Sequence, residues 1–433
     1  MRTAIRALAI TAAAALTVTG LAACSSGSSG SSGDSKTLTY WASNQGTSLQ
    51  NDKEVLTPVL KEFTKETGIK VDLQVIGWND LQTKIQTAVT SGQGPDVVNI
   101  GNTWATSLQA TGAFQEYGDS EMKAIGGADK FGKVALSTGG APGKTVTSVP
   151  LYGLAYGLYY NKSMFKDAGL EAPTTWEDLT ADAKKLTTGG KYGFTIAGGS
   201  YTENSHFAFI TSAQNGGEWF DKDGKPTFTD KANVDGIKRY LDLMQSDKVV
   251  NTSNAQYDNG TQAVSDFANG KAAMMLTQNN ANATITSQGM KTDEFGVVPF
   301  PTTADGEDIA SFPAGINLSI FKNTKNKDGA LKFVKYMTSA DTQTTLDKPY
   351  SALPVLAAAA DSVTDEQTKT FLDIYNNKAK PLPLVPAEDQ FESTVGKAMN
   401  DMFAKIATGG TVSDSDIKTA LQTAQDQVSQ ANG

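Results

Sequence analysis

From residue 37 to residue 101 the hydrophobic period switches repeatedly between two and about 3.6 residues, and that alternation restricts the chain to one kind of sheet. Thr37 to Trp41 alternate as a strand; Val55, Leu56, Val59, Leu60 and Phe63 then share one helical face, and Gly68 supplies the left-handed stop. Ile69, Val71, Leu73 and Val75 alternate with polar residues as a second strand. Leu81, Ile85 and Val89 mark a second helix, and Val97 to Ile100 form a short third strand after Gly94-Pro95. Strand, helix, strand, helix, strand is the order of a parallel sheet in an α/β protein. Later, Thr175 and Asp178 have capping-box spacing at a helix start. Ala272 to Leu276 and Ile316 to Phe321 read as buried strands. Helical faces recur at Leu331, Val334 and Met337, and at Val395, Met399, Met402, Phe403 and Ile406. No internal repeat is present.

The first residues are read as a targeting segment, outside the fold. Arg2 and Arg6 precede an apolar, Ala-rich run that ends at Leu21-Ala22-Ala23-Cys24, which resembles a bacterial lipobox. In such signals residues 1–23 are removed and the cysteine is lipidated; Cys24 is the one cysteine of 433 residues. Residues 24–36 then form a Ser/Gly-rich tether, about 20 Å in root-mean-square span. No later stretch reaches the roughly 18 to 20 apolar residues of a membrane-spanning helix.

Charge and residue usage narrow the chemistry. Of 37 basic residues two lie in the leader, against 46 acidic ones, and such a surface repels nucleic acid. Arg239 is the one arginine after Arg6, so the bidentate fork that favours phosphates and carboxylates is scarce. An uncharged ligand is expected. With one histidine, His206, and no second cysteine, metal sites and histidine-based triads are not expected, nor is a cofactor. A body of roughly 400 residues exceeds a single core and suggests two lobes.

Several segments, in order along the chain, resemble the extracellular solute-binding proteins of ATP-driven sugar importers, the maltose-binding-like group. They are Gly94-Pro95-Asp96-Val97-Val98, Val149-Pro150 through Tyr160-Asn161-Lys162, Pro173 to Leu179, Phe267 to Met275 and Ala314 to Ile320. The resemblance implies a two-lobed α/β fold of the periplasmic-binding-protein type, with three interlobe crossings and ligand in the cleft. It implies a lipid-anchored monomer on the outer face of the cell membrane that binds a sugar, serves the permease subunits of an importer and catalyses nothing. Residues 37–149 plus 277–318 would form lobe 1, and 150–276 plus 319–433 lobe 2. Leu151 to Tyr156 would be the first crossing, Met274 to Leu276 would lead into the second and Gly315 to Phe321 would make the third.

A sugar site needs aromatic faces ringed by amides and carboxylates, and strand-end loops are the place to find them. Asn44 and Gln45 follow the first strand with Trp41, Trp78 and Asn79 follow the second, and Asn102 and Trp104 follow the third. Trp41 reads as the core member, because it alternates within its strand. Trp219 and Glu203 occupy positions where relatives contact ligand, and Trp219 is expected in the site. His206 reads as a helix-start or packing residue. Tyr152 and Tyr156 face either the cleft or a lobe interior; Asp96 serves either a ligand hydroxyl or a turn. Where relatives carry glycine and then tryptophan, this chain has Gln278-Asn279-Asn280, so Gln278 and Asn280 are expected to grip hydroxyls. Alternatively the ring comes from elsewhere, such as Phe312 or Tyr350; Gly315 joins the set. Two other readings stay open: a glycoside hydrolase, and a binding protein for another cargo such as a polyamine.

Overall fold

A computed structural model describes residues 36–360 and 363–431. Residues 1–35, with the expected leader, Cys24 and nearly all of the tether, lie outside them. The α/β alternation appears as expected: β1 (Thr37–Ser43), a helix Leu49–Thr67, β2 (Lys70–Ile76), a helix Trp78–Ser91 and β3 (Val97–Gly101). Ser48 caps the first helix by accepting from the Asn51 amide at 3.0 Å, and Gly68 ends it at φ 73°, where a side chain is disfavoured. Thr175 and Asp178 form the capping box of the helix Trp176–Leu186.

β1 pairs in parallel with β2 and β3, while β9 (Ala314–Ile320) joins antiparallel to β3 and to β4 (Val149–Leu154). The first sheet therefore runs β2-β1-β3-β9-β4. The second holds β5 (Tyr156–Asn161), β6 (Tyr192–Thr195), β7 (Ala272–Gln278) and β8 (Phe295–Val298) in the order β6-β7-β5-β8. Each sheet is the spine of one lobe.

Both faces of the first sheet are buried. On one, Tyr40 and Phe63 pack on Phe333, with ring centroids 4.9 and 5.3 Å apart; on the other, Ile76, Leu81, Ile85 and Trp104 cluster. The second lobe's core gathers Tyr159, Phe207, Trp219, Tyr240 and Phe391. Val395, Met399, Met402, Phe403 and Ile406 are all buried on one face of the helix Glu388–Ala407, as their spacing predicts. Among the described residues no helix is long and apolar enough to cross a membrane.

The crossings and lobe boundaries differ from those expected. The first crossing is a single residue, Ala155, between β4 and β5. The second is the segment 299–313 between β8 and β9, because β7 and β8 both stay in the second sheet. β9 itself is an inner strand of the first sheet, flanked by β3 and β4, so Gly315 to Phe321 makes no crossing. The helices Lys327–Met337 and Ala340–Tyr350 then bury Phe333, Met337, Leu346 and Tyr350 in the first core. The chain returns to the second lobe only after Tyr350, where Leu353 and Val355 join the second core. Residues 277–298 thus belong with lobe 2 and 319–350 with lobe 1.

Candidate functional site

The ends of β1, β2 and β3 do bring their tryptophans together. Trp78 is half-buried, donates its indole N–H to the Asn44 carbonyl at 2.7 Å and meets the buried Trp104 edge-on, centroids 5.6 Å apart. Asn44, Gln45 and Gly46 are shaped by Asp52, which is fully buried in the first turn of the helix Leu49–Thr67. Its carboxylate accepts from the Asn44 side chain at 2.5 Å and from the Gln45 and Gly46 amides at 3.2 and 2.8 Å. Burial pushes the Asp52 carboxyl up, and these hydrogen bonds oppose the rise. Asn44 is thus occupied within its own loop, while Gln45 is buried with its Oε1 lacking a donor. Asn79 lies in the first turn of the helix Trp78–Ser91. Trp41 leans on the cluster of Ile76, Leu81 and Trp104 but is only half-buried, with the Lys84 ammonium 4.5 Å from its ring centroid.

Across the cleft, the helix Tyr201–Gln214 carries Glu203 and His206 in its first two turns. The Tyr156 hydroxyl donates to Glu203 Oε2 at 3.2 Å and lies 2.8 Å from His206 Nδ1. His206 Nε2 in turn lies 3.1 Å from Glu392 Oε1, and Glu392 Oε2 accepts the Trp104 indole N–H at 2.9 Å. An unbroken polar chain therefore runs from Glu203 in one lobe to Trp104 in the other. Burial raises the Glu203 carboxyl, opposed by His206 and the Tyr156 hydroxyl. Burial works on Glu392 in the same direction, but the hydrogen bonds from His206 and Trp104 overcome it and hold that carboxyl below its ordinary value.

Other contacts link the lobes at this place. Tyr201 donates to Gln82 at 3.3 Å, Gln86 to Asp389 at 3.4 Å, and the Asp389 amide to Ser107 at 3.3 Å. Asn102 is buried and donates to the Pro313 carbonyl at 2.8 Å, tying the end of β3 to the second crossing. Gln278 and Asn280 are half-buried at the end of β7, on either side of the buried Asn279.

Several expected site residues serve the fold instead. Asp96 stands at the start of β3, not its end, and both its oxygens are taken, by Thr39 at 2.7 and 2.9 Å and by Thr324 at 2.5 Å. Trp219 is 1 % exposed between Phe228 and Phe391, so it belongs to the second core. Tyr152 and Tyr156 stand in different sheets. Tyr152 packs in the first core against Tyr350, and Tyr156 in the second beside Phe312, which also removes Tyr350 and Phe312 as stacking rings. Gly315 is required by packing, since a Cβ there would lie 2.4 Å from the Tyr152 carbonyl oxygen. His206 does start a helix and pack, yet it is also the middle of the polar chain. Glu388, Glu392 and Asn279 escaped the sequence reading. The two glutamates follow the same apolar stripe as Val395 and Met399, and carboxylates on such a stripe were the available signal.

Tryptophan edges, amides, a tyrosine hydroxyl and carboxylates converging between two lobes suit a neutral, hydroxyl-rich molecule. Among the described residues no cluster of metal-ligand type exists. The family model of bacterial extracellular solute-binding proteins matches residues 46–344. The chain is 30 % identical over 343 residues to the multiple sugar-binding protein of Streptococcus mutans, covering 75 % of this chain and 76 % of that one. It is 28 % identical over 339 residues to the diacetylchitobiose binding protein DasA of Streptomyces coelicolor, covering 74 % and 73 %. Its fold matches that of an ABC transporter solute-binding protein from Thermotoga lettingae, solved with α-D-tagatose, at a TM-score of 0.79 and 23 % identity over 91 % of this chain and 100 % of that one. With most of its length matched in this way, the chain belongs to the bacterial extracellular solute-binding protein family.

Proposed function

We propose that the protein captures a neutral sugar, of oligosaccharide length, outside the cell and hands it to the permease subunits of an ATP-driven importer when its two lobes close. The observation that carries this reading is the Trp78–Trp104 pair at the strand ends of one lobe, joined to the other where Glu392 accepts from Trp104 and Tyr201 donates to Gln82. Indole faces and edges cover the apolar side of a pyranose, and the surrounding groups exchange hydrogen bonds with its hydroxyls. The names of the similar proteins support the same class of cargo. A thermal-shift panel of mono- to tetrasaccharides tests it: at a hundredfold excess over Kd a bound sugar adds about 2.7 kcal/mol of stability. Melting that responds to amines and to no saccharide would replace the sugar with a cationic cargo.

The protein acts as a binder, not a hydrolase. A glycosidase keeps its two carboxyls roughly 5 to 9.5 Å apart around the scissile bond. Here the acid bonded to Trp104, Glu392, has both oxygens engaged, by Trp104 and by His206, in the contact between the lobes. Release of reducing sugar that one Asp or Glu substitution abolishes would contradict this. Lipidation of Cys24 keeps the monomer beside its importer, so Cys24→Ala is expected to move the protein from the membrane fraction into the medium; retention on the membrane would count against the anchor.

A further inference from the structure

The helix Glu388–Ala407 belongs to the second lobe, yet its first turns lie against Trp104 and Ser107 of the first. Glu392 sits where the lobes meet, 1 % exposed, taking one N–H from each side: Trp104 at 2.9 Å and His206 at 3.1 Å. One turn before it, Glu388 is also 1 % exposed, and neither of its oxygens has a donor. An ionised carboxylate in that position would be buried, unpaired and beside a second negative charge, an arrangement that is strongly disfavoured. A protonated Glu388 removes the charge and can donate to Glu392.

We infer that Glu392 is the positioning residue that latches the lobes together, and that closure takes up one proton at Glu388. The inference rests on reading the interlobe cleft as the ligand site. Burial first, and then the charge of Glu392, hold the Glu388 carboxyl well above the usual carboxylate range. The ionisable groups near this place are Asp389 on the same helix, Tyr201, Glu203 and His206 on the helix Tyr201–Gln214, and the Tyr156 hydroxyl. Among the described residues, those of the first lobe bonded to the start of this helix are Trp104, Ser107 and Gln86, all uncharged. The one group among these that can be cationic, His206, bonds Glu392 and not Glu388, whose two oxygens have no donor, so its own proton is the available neutraliser. Opening withdraws Trp104 and Ser107 from the start of this helix, which admits water to Glu388 and lets it give up that proton. The closed form therefore carries a proton that the open form releases, and closure weakens as pH rises.

Small-angle scattering of the ligand-free full chain between pH 4.5 and 8 tests the latch without any sugar, so failure of the sugar reading and failure of the latch remain distinct. The wild type is expected to be compact at the acid end and to expand as pH rises, the closing equilibrium falling up to tenfold per pH unit. Glu388→Gln should stay compact throughout. Trp104→Phe, which removes the first lobe's N–H and trims the buried ring, and Glu392→Gln should both be more open than wild type, with circular dichroism confirming that they fold. A wild-type profile indifferent to pH, a Glu388→Gln protein that follows the wild-type response, or a Trp104→Phe protein as closed as wild type would overturn the inference.

Discussion

Asn279→Ala is expected to lower the unfolding free energy by about 2 to 4 kcal/mol through lost hydrogen bonds. Asn279 is 1 % exposed at the end of β7. Its Oδ1 accepts from the Ala155 amide at 2.8 Å, its Nδ2 donates to the Ser351 carbonyl at 2.7 Å, and its own amide donates to the Ala155 carbonyl at 3.2 Å. One side chain thus binds the first crossing to the third. Gly153 and Leu353 exchange backbone hydrogen bonds of 2.9 and 2.8 Å beside it, and Ser311 of the second crossing accepts from the Tyr156 amide at 2.9 Å. Alanine would leave the Ala155 N–H and the Ser351 carbonyl buried without partners, at about 1 to 3 kcal/mol each, softened where water enters. Denaturant unfolding measures the loss. A change below about 0.5 kcal/mol, the size of an ordinary surface substitution, would mean that the crossings hold without this clasp.

That clasp also shows where sequence reasoning stops. Asn279 lies in the polar run Gln278-Asn279-Asn280, and nothing local distinguishes the middle amide from its neighbours. Its role depends on Ala155 and Ser351, which only the tertiary fold brings near. The regular parts were legible because their causes are local. The β1 to β3 alternation, the Gly68 stop, the Thr175–Asp178 box and the apolar stripe of the helix Glu388–Ala407 each follow from spacing within one element. The strand-end tryptophans were legible because loops after parallel strands gather on one side of a sheet. Asp96 misled because it begins its strand, and the strand's polarity, not its composition, decides which end meets the cleft. The crossings were misplaced because β8 is only four residues long and the two helices after β9 stay with the first lobe, a matter of pairing between distant segments.

Trp219 and Trp78 were alike in sequence, each next to polar residues and close behind a glycine, but the structure buries the first in a core and leaves the second half-buried at a strand end. Trp219→Ala is accordingly expected to cost about 3 to 5 kcal/mol, as removal of a large buried ring does. Its ring is held by Phe228 at 5.5 Å and Phe391 at 4.8 Å, and the cavity left would open between the 219–228 segment and the helix Glu388–Ala407. Its indole N–H has no partner. Trp219→Phe, which deletes that buried polar group and keeps a ring, should therefore cost much less than alanine. Trp78→Ala should behave in the opposite way. The ring is half-buried, so stability falls by only about 1 to 2 kcal/mol, but the Asn44 carbonyl loses its donor and Trp104 its neighbour. Affinity for whichever saccharide raises the melting temperature should then drop by about tenfold or more, in keeping with the loss of one aromatic contact and its buried area. Denaturation and titration calorimetry on the same three proteins separate the two roles. A Trp219→Ala protein of undiminished stability that no longer binds would return that ring to the site and leave Trp78 as a loop support.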